Sequence, residues 1–290
     1  MQYDQTLSAQ ADAYARTVSP YFDIEDKESK YKADKLFKRL RRKVGHAIGD
    51  YGMIEPGDRV MVCISGGKDS YAMLDLLLSL KRSAPFAYEL IPVHLDPGFV
   101  GSPEHLVEEH LHRVGLPYHI LKRPVFEISQ EKNKSGKIMC SICSRMRRGF
   151  LYGFAREQGF NKVALGHHRD DILATFFLNL FYSGIMKTMP PLLRTDDDTL
   201  TVIRPLAYCR ERDLNTLSKL KNYPVLPKGL CGAGENEQRA AMKKMLKEWE
   251  KEQPKRPDII FKALKNVVPS HLLDRELFDF SKISNGPRVK

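Results

Sequence analysis

Arg59-Val60-Met61-Val62-Cys63-Ile64-Ser65-Gly66-Gly67-Lys68-Asp69-Ser70 decides the fold. The first six residues form an apolar run of strand length, and Tyr71 to Leu80 is too long for a strand and rich in helix formers. The order is therefore strand, glycine turn, helix. Two adjacent glycines let the backbone turn sharply and aim its amides at an anion. A new helix adds free N–H groups and the positive end of its dipole. Lys68 supplies a mobile charge, Ser65 and Ser70 supply hydroxyls, and Asp69 is placed to hold magnesium against phosphates. The spacing excludes the G-x-x-x-x-G-K-[ST] loop of kinases and GTPases, because the glycines adjoin and Asp69 follows Lys68.

Strand and helix patterns alternate outward from this loop. Tyr88 to Asp96 reads as a second strand, with Pro92 arguing for an edge or an irregularity. Pro103 to Val114 reads as a helix, Tyr118 to Leu121 as a strand and Ser144 to Gln158 as a helix. Lys162 to Leu165 is a further strand, Asp170 to Tyr182 a helix, and Val202 to Pro205 closes another strand. Such alternation implies βαβ units, hence an α/β, Rossmann-like parallel sheet flanked by helices. Ligands in these sheets sit at the carboxyl ends of strands. Three polar stretches fall there: the Ser65 turn, His94 to Asp96, and Gly166-His167-His168.

Helical additions flank this unit. Residues 1–29 are polar and without period, and read as a flexible extension. From Tyr31 to Tyr51, Phe37, Leu40, Val44, Ala47 and Ile48 recur at helical spacing. Lys35, Lys38, Arg39, Arg41, Arg42 and Lys43 crowd the other face. The central domain spans 30–233, and 234–290 reads as a helical tail broken at Pro254 and Pro257.

Composition narrows the function. The 290 residues carry 42% hydrophobic side chains, enough for a core, and no run approaches a membrane span. With no basic-then-apolar leader pattern at Met1, the chain reads as cytoplasmic, with no membrane partner. A net charge of +11 favours an anionic partner, nucleic acid first. Five cysteines, two of them in Cys140-Ser141-Ile142-Cys143, argue for a metal, a cluster or redox chemistry rather than a disulfide scaffold. A zinc site would want a second close pair, which is missing. A three-cysteine cluster site of Cys140, Cys143 and Cys231 fits the count. Cys209 is the alternative third ligand, a purely structural pair is the other reading, and Cys63 lies inside the first strand. Asp170 and Asp171 open a helix, where its dipole favours carboxylates; capping explains one, and a magnesium or nucleotide contact would explain both.

Taken together, the motifs resemble one family. Lys38-Arg39-Leu40-Arg41-Arg42, Ser65 to Ser70, Cys140 to Gly149, Ala164 to Ile172, Lys187 to Pro191, Val202 to Tyr208 and Leu230-Cys231-Gly232 are similar to the tRNA 2-thiocytidine synthetases, within the ATP pyrophosphatase (PP-loop) superfamily. The resemblance covers about residues 31–250. It implies an adenine nucleotide alpha hydrolase-like fold and an ATP-dependent tRNA sulfurtransferase. Such an enzyme adenylates the C2 oxygen of an anticodon-loop cytidine, at position 32, and replaces it with sulfur. It further implies ATP and magnesium, with Ser65, Gly66, Gly67, Lys68, Asp69, Ser70, His94, Asp96, Gly166, His167, Asp170, Asp171 and Arg204 in the cofactor site. Lys68, Asp69, Cys140 and Cys143 are implied as catalytic, and Cys140, Cys143 and Cys231 as ligands of a 4Fe–4S cluster. Asp69 and Asp170 are the implied magnesium ligands. The implied partners are tRNA, a sulfur donor such as a cysteine desulfurase, and a second copy in a homodimer. A competing reading keeps the ATP chemistry but amidates a small carboxylic acid; it leaves the cysteines and the basic helices unexplained.

Overall fold

Six strands form one sheet in the order β3-β2-β1-β4-β6-β5, in a computed structural model that describes residues 26–132, 139–227, 229 and 237–283. The strands are β1 (Arg59–Ile64), β2 (Glu89–Asp96), β3 (His119–Lys122), β4 (Lys162–Ala164), β5 (Leu192–Arg194) and β6 (Thr201–Ile203). All neighbours pair in parallel except β5, which returns antiparallel on β6. The chain moves outward from β1 to β2 and β3, then crosses to the other side of β1 with β4. The crevice between β1 and β4 is thus the topological switch point, where such sheets take their ligands.

Alternation along β1 sends Val60, Val62 and Ile64 to one face and Met61 and Cys63 to the other. Helices cover both faces. On the first lie α1 (Lys27–Tyr51), α2 (Lys68–Lys81), α3 (His105–Val114) and α7 (Glu211–Leu220). On the second lie α4 (Val125–Lys132) and α5 (Met139–Glu157). Helix α6 (Arg169–Tyr182) follows β4 and packs its Leu173, Ala174, Phe176 and Phe177 against Met242 and Leu246 of α8 (Glu237–Glu252). Helix α9 (Arg256–Ala263) lies against both α6 and α8. Among the described residues no helix is long and apolar enough to cross a membrane.

Several sequence expectations shift. Pro92 lies in β2, which has neighbours on both sides. Its missing N–H is harmless because β3 begins pairing only at Val93. Helix α1 starts at Lys27, capped by Asp26, whose carboxylate accepts from Glu28 N at 3.4 Å and Ser29 N at 2.7 Å. The polar extension therefore ends at residue 26 or earlier; residues 1–25 lie outside the described residues. Helix α5 begins at Met139 instead of Ser144, so Cys140 and Cys143 sit one turn apart on one helix. Helix α4 and strand β5 went unpredicted. The expected helical tail appears as α8 and α9, broken beside Pro254, and both helices dock against α6.

Candidate functional site

Gly66, at φ +73°, turns the chain out of β1, and the carbonyl it presents accepts from Leu226 N at 2.9 Å. A Cβ at this position would lie 2.4 Å from Leu226 Cδ1, so only glycine fits. The loop then folds on itself. Ser70 Oγ donates to Gly67 O at 2.7 Å and accepts from Ser65 N at 3.2 Å, while Gly67 N donates to Ser65 Oγ at 3.3 Å. Helix α2 starts at Lys68 with no side-chain cap. Its first N–H groups therefore point at the loop as a ready anion site. Across the switch point, a Cβ on Gly166 would stand 3.3 Å from Ser70 N. The two loops predicted to share a ligand thus touch each other.

Lys68 Nζ lies 2.8 Å from Asp69 Oδ2 and 3.7 Å from Glu211 Oε1. The other oxygen of Asp69, Oδ1, is buried with no hydrogen-bond partner. A hard cation is what such an orphaned carboxylate oxygen fits. His168 caps α6: its Nδ1 accepts from Asp171 N at 3.4 Å, and its own N–H donates to Asp171 Oδ2 at 3.3 Å. His168 Nε2 reaches within 4.0 Å of Asp69 Oδ2.

The acidic pair beside it is already engaged. Asp170 Oδ1 accepts from Arg169 at 2.7 Å and Oδ2 from the Glu211 amide at 2.8 Å, so it caps α7. A magnesium role for Asp170 would need these bonds to open; Asp69 Oδ1 is the better ligand. Asp171 Oδ1 takes Arg239 and Lys243 of α8, each at 3.0 Å. Burial opposes ionisation of Asp171. The charges of His168, Lys243 and Arg239 overcome it and hold the carboxyl well below the usual range. Arg169, 2% exposed, donates to Asp258 of α9 at 2.5 Å, and Arg210 closes on the other oxygen of Asp258. Sequence reasoning missed Arg169, Glu211, Arg239, Lys243 and Asp258. No spacing rule separates them from solvated charges.

On the second face of the sheet, Cys143 of α5 packs half-buried against the core. The side chain of Cys140, and all of Cys231, lie outside the described residues. Burial pushes the thiols of Cys63 and Cys209 up to about 12. Cys209 is fully buried in the core beside Leu206 and Leu214. Its core lies on the opposite face of the sheet from the one Cys143 packs against, so the two do not share a site.

His94 is fully occupied: Nδ1 donates to Ile64 O at 2.8 Å and Nε2 meets Glu104 at 2.6 Å. It ties β2 to the end of β1 and has no nitrogen left for a nucleotide in this arrangement. Asp96 Oδ1 accepts from Gly98 N at 2.9 Å. His167 keeps a buried Nδ1 with no partner; burial, with the Arg204 charge beside it, lowers its pKa to about 4, so the ring is neutral. The basic face of α1 is divided. Arg39 pairs with Asp213 at 2.9 Å and Arg41 with Ser83, whereas Lys35, Lys38 and Arg42 are exposed.

The PP-loop domain family matches residues 32–224. The tRNA-cytidine(32) 2-sulfurtransferase of Chromohalobacter salexigens is 55% identical over 255 residues, 88% of this chain and 90% of that protein. Its counterpart in Alcanivorax borkumensis is 53% identical over 264 residues, 91% of this chain and 93% of that protein. Among solved structures, the U34-tRNA thiolase NcsA from Methanococcus maripaludis with its [4Fe-4S] cluster superposes with a TM-score of 0.64 at 21% identity. It covers 82% of this chain and 81% of that one, and it supports the fold.

Proposed function

This chain belongs to the PP-loop family and, within it, to the tRNA-cytidine(32) 2-sulfurtransferases, and on that footing we propose how its residues carry the reaction. The enzyme uses ATP to replace the 2-oxygen of cytidine 32 in tRNA with sulfur. The observation that carries this reading is the uncapped start of α2 at the switch point, with the Cys143 helix on the adjoining face of the sheet.

ATP phosphates take the amides at Gly66 to Asp69. Lys68 turns from Asp69 and Glu211 toward them and neutralises charge as it builds. Asp69 Oδ1 would hold Mg²⁺, which screens the phosphates. The exposed Lys35, Lys38 and Arg42 and the Arg145 to Arg148 helix contact the tRNA backbone and give salt-sensitive affinity. A splayed loop base enters the crevice. Its C2 oxygen attacks the α-phosphate, the α–β bond breaks and pyrophosphate leaves. The adenylated oxygen is now a good leaving group. A sulfur nucleophile forms the C2–S bond, the C2–O bond breaks, and AMP carries the oxygen away. Cys140, Cys143 and Cys231 would hold the 4Fe–4S cluster, whose fourth iron, free of protein ligand, can bind sulfur. A cysteine desulfurase is the class of donor that supplies such sulfur. The exposed Phe181, Tyr182, Ile185 and Met186 form an apolar surface suited to a homodimer.

The test is AMP formation with and without tRNA, with mass spectrometry of nucleosides from the product tRNA. The expected result is tRNA-dependent AMP and 2-thiocytidine, both lost in Lys68→Ala. ATP turnover indifferent to tRNA would overturn the proposal.

A further inference from the structure

Arg204, just past the end of β6, is a buried cation without a counter-ion among the described residues. It is 8% exposed, and among the described residues no carboxylate pairs with it. Only Nη1 is used, donating to Pro190 O at 2.5 Å; Nε is buried and has no partner. Arg169 and Arg210 also have a buried Nε without a partner, but each has carboxylates: Asp170, Glu250 and Asp258 for Arg169, and Asp258 for Arg210. An unmet buried donor is costly, and a functional site is where such a group persists.

Its location narrows the missing acceptor. Ile203 faces the first core and Leu200 the second, so alternation turns Arg204 toward the α5 face. There its charge acts on Tyr152 of α5 and on His167. Tyr152 also senses Cys63, whose thiol lies near Arg147, one helical turn beyond Cys143. Arg204 thus lies near both Tyr152, on the cysteine-bearing helix, and His167, in the loop at Gly166 that touches Ser70.

We propose that Arg204 reads the cytosine, its Nε–Nη2 edge donating to the adjacent acceptors O2 and N3. This rests on the sulfurtransferase reading above. With Nη1 held by Pro190, that edge presents two parallel N–H donors. Cytosine offers two acceptors there; uracil offers O2 but an N3–H, which opposes a donor. The contact also serves the chemistry. When sulfur adds to the adenylated C2, the C2=N3 electron pair moves onto N3, and it returns as the C2–O bond breaks and AMP leaves. A guanidinium at N3 stabilises that charge where it develops.

The experiment crosses protein and base. Single-turnover AMP formation is measured for wild type, Arg204→Lys and Arg204→Gln on tRNAs carrying cytidine, uridine or 3-deazacytidine at position 32. ATP affinity is measured in parallel. A bidentate contact is worth about 1–3 kcal/mol of discrimination, or roughly 5- to 150-fold. Wild type should prefer cytidine over 3-deazacytidine by that factor. Arg204→Gln should shrink that preference by about the same factor, and Arg204→Lys should fall between. An intact ratio in Arg204→Gln, or a loss of ATP affinity in its place, overturns the proposal. Should Arg204→Gln fail to fold, a wild-type ratio near one does so alone. Wild type that forms no AMP on cytidine tRNA sinks the sulfurtransferase reading itself, and this one with it.

Discussion

Gly66→Ala tests whether the phosphate loop depends on its packing partner. Two penalties can be worked from the geometry. An alanine at φ +73° sits in the left-handed region, which costs an L-residue about 1–2 kcal/mol. Its Cβ would stand 2.4 Å from Leu226 Cδ1, 2.6 Å from Cγ and 3.3 Å from Cβ. The Cγ contact cannot be relieved by rotating a distal methyl, so overpacking adds about 1–3 kcal/mol. The sum, about 2–5 kcal/mol, is a large share of the 5–15 kcal/mol typical of a folded domain. If the loop moves to escape, its amides leave the phosphates and ATP affinity falls too.

Gly67→Ala is the control. Its backbone is extended at φ −88°, and an added Cβ meets only Ser65 Oγ at 3.3 Å. It should behave like a surface change, about 0.5 kcal/mol or less. Leu226→Ala supplies the fourth corner of a cycle. It removes the Cγ and Cδ1 contacts but not the φ strain, so the double variant should be more stable than additivity predicts by about 1–3 kcal/mol. Denaturant unfolding gives the free energies and titration calorimetry the ATP affinity. If Gly66→Ala matches Gly67→Ala in both, or the cycle is additive, Leu226 is not the constraint argued here.

Anaerobically purified Cys209→Ala should retain its iron and acid-labile sulfide, whereas Cys143→Ser should lose them. Equal loss in both would restore Cys209 as a ligand. Lys38→Ala should reduce the slope of log affinity against log salt for tRNA by about one, whereas Arg39→Ala, whose charge is spent on Asp213, should change it less. Because the folded Asp171 carboxyl titrates below its unfolded value of about 3.9, its stabilisation is present above that pH and lost as pH falls below it. The stability gap between wild type and Asp171→Asn should therefore be widest near neutrality and shrink below about pH 4. A gap that is flat in pH would contradict the assignment.

The loop at Ser65 to Ser70 was legible because its cause is local: two glycines, a preceding apolar strand and a following helix. The sheet was legible for the same reason, strand by strand. What escaped depends on neighbours distant in sequence. Pro92 looked like an edge signal, and only the late start of β3 shows why an inner strand tolerates it. His94 looked free at a strand end, yet both its nitrogens are taken, one by Glu104 at the start of the helix read from Pro103. Helix α5 was read as starting after the cysteines because nothing near Met139 resembles a cap. Arg204 was placed at its strand end, but a missing counter-ion has no signature in sequence.

The charges that complete the site come from beyond the family match, which ends at residue 224. Arg239, Lys243 and Asp258 lie on α8 and α9, and they neutralise Asp171, Arg169 and Arg210. Arg169 at 2% exposure and Asp171 at 8% thus take part of their charge compensation from those helices. Removing one partner of a fully buried pair costs about 3–5 kcal/mol. Asp258 is 37% exposed at its side chain, so Asp258→Ala should cost less, about 2–3 kcal/mol. The damage should also travel. Arg169 shares Asp170, which caps α7 at Glu211, and Glu211 neighbours Lys68. Asp258→Ala should therefore weaken ATP binding from a residue that touches no phosphate, and Asp258→Glu should recover part of it. If ATP affinity and the unfolding midpoint are both unchanged, the C-terminal helices are an independent appendage. If both fall together, the catalytic domain of this chain extends through α9.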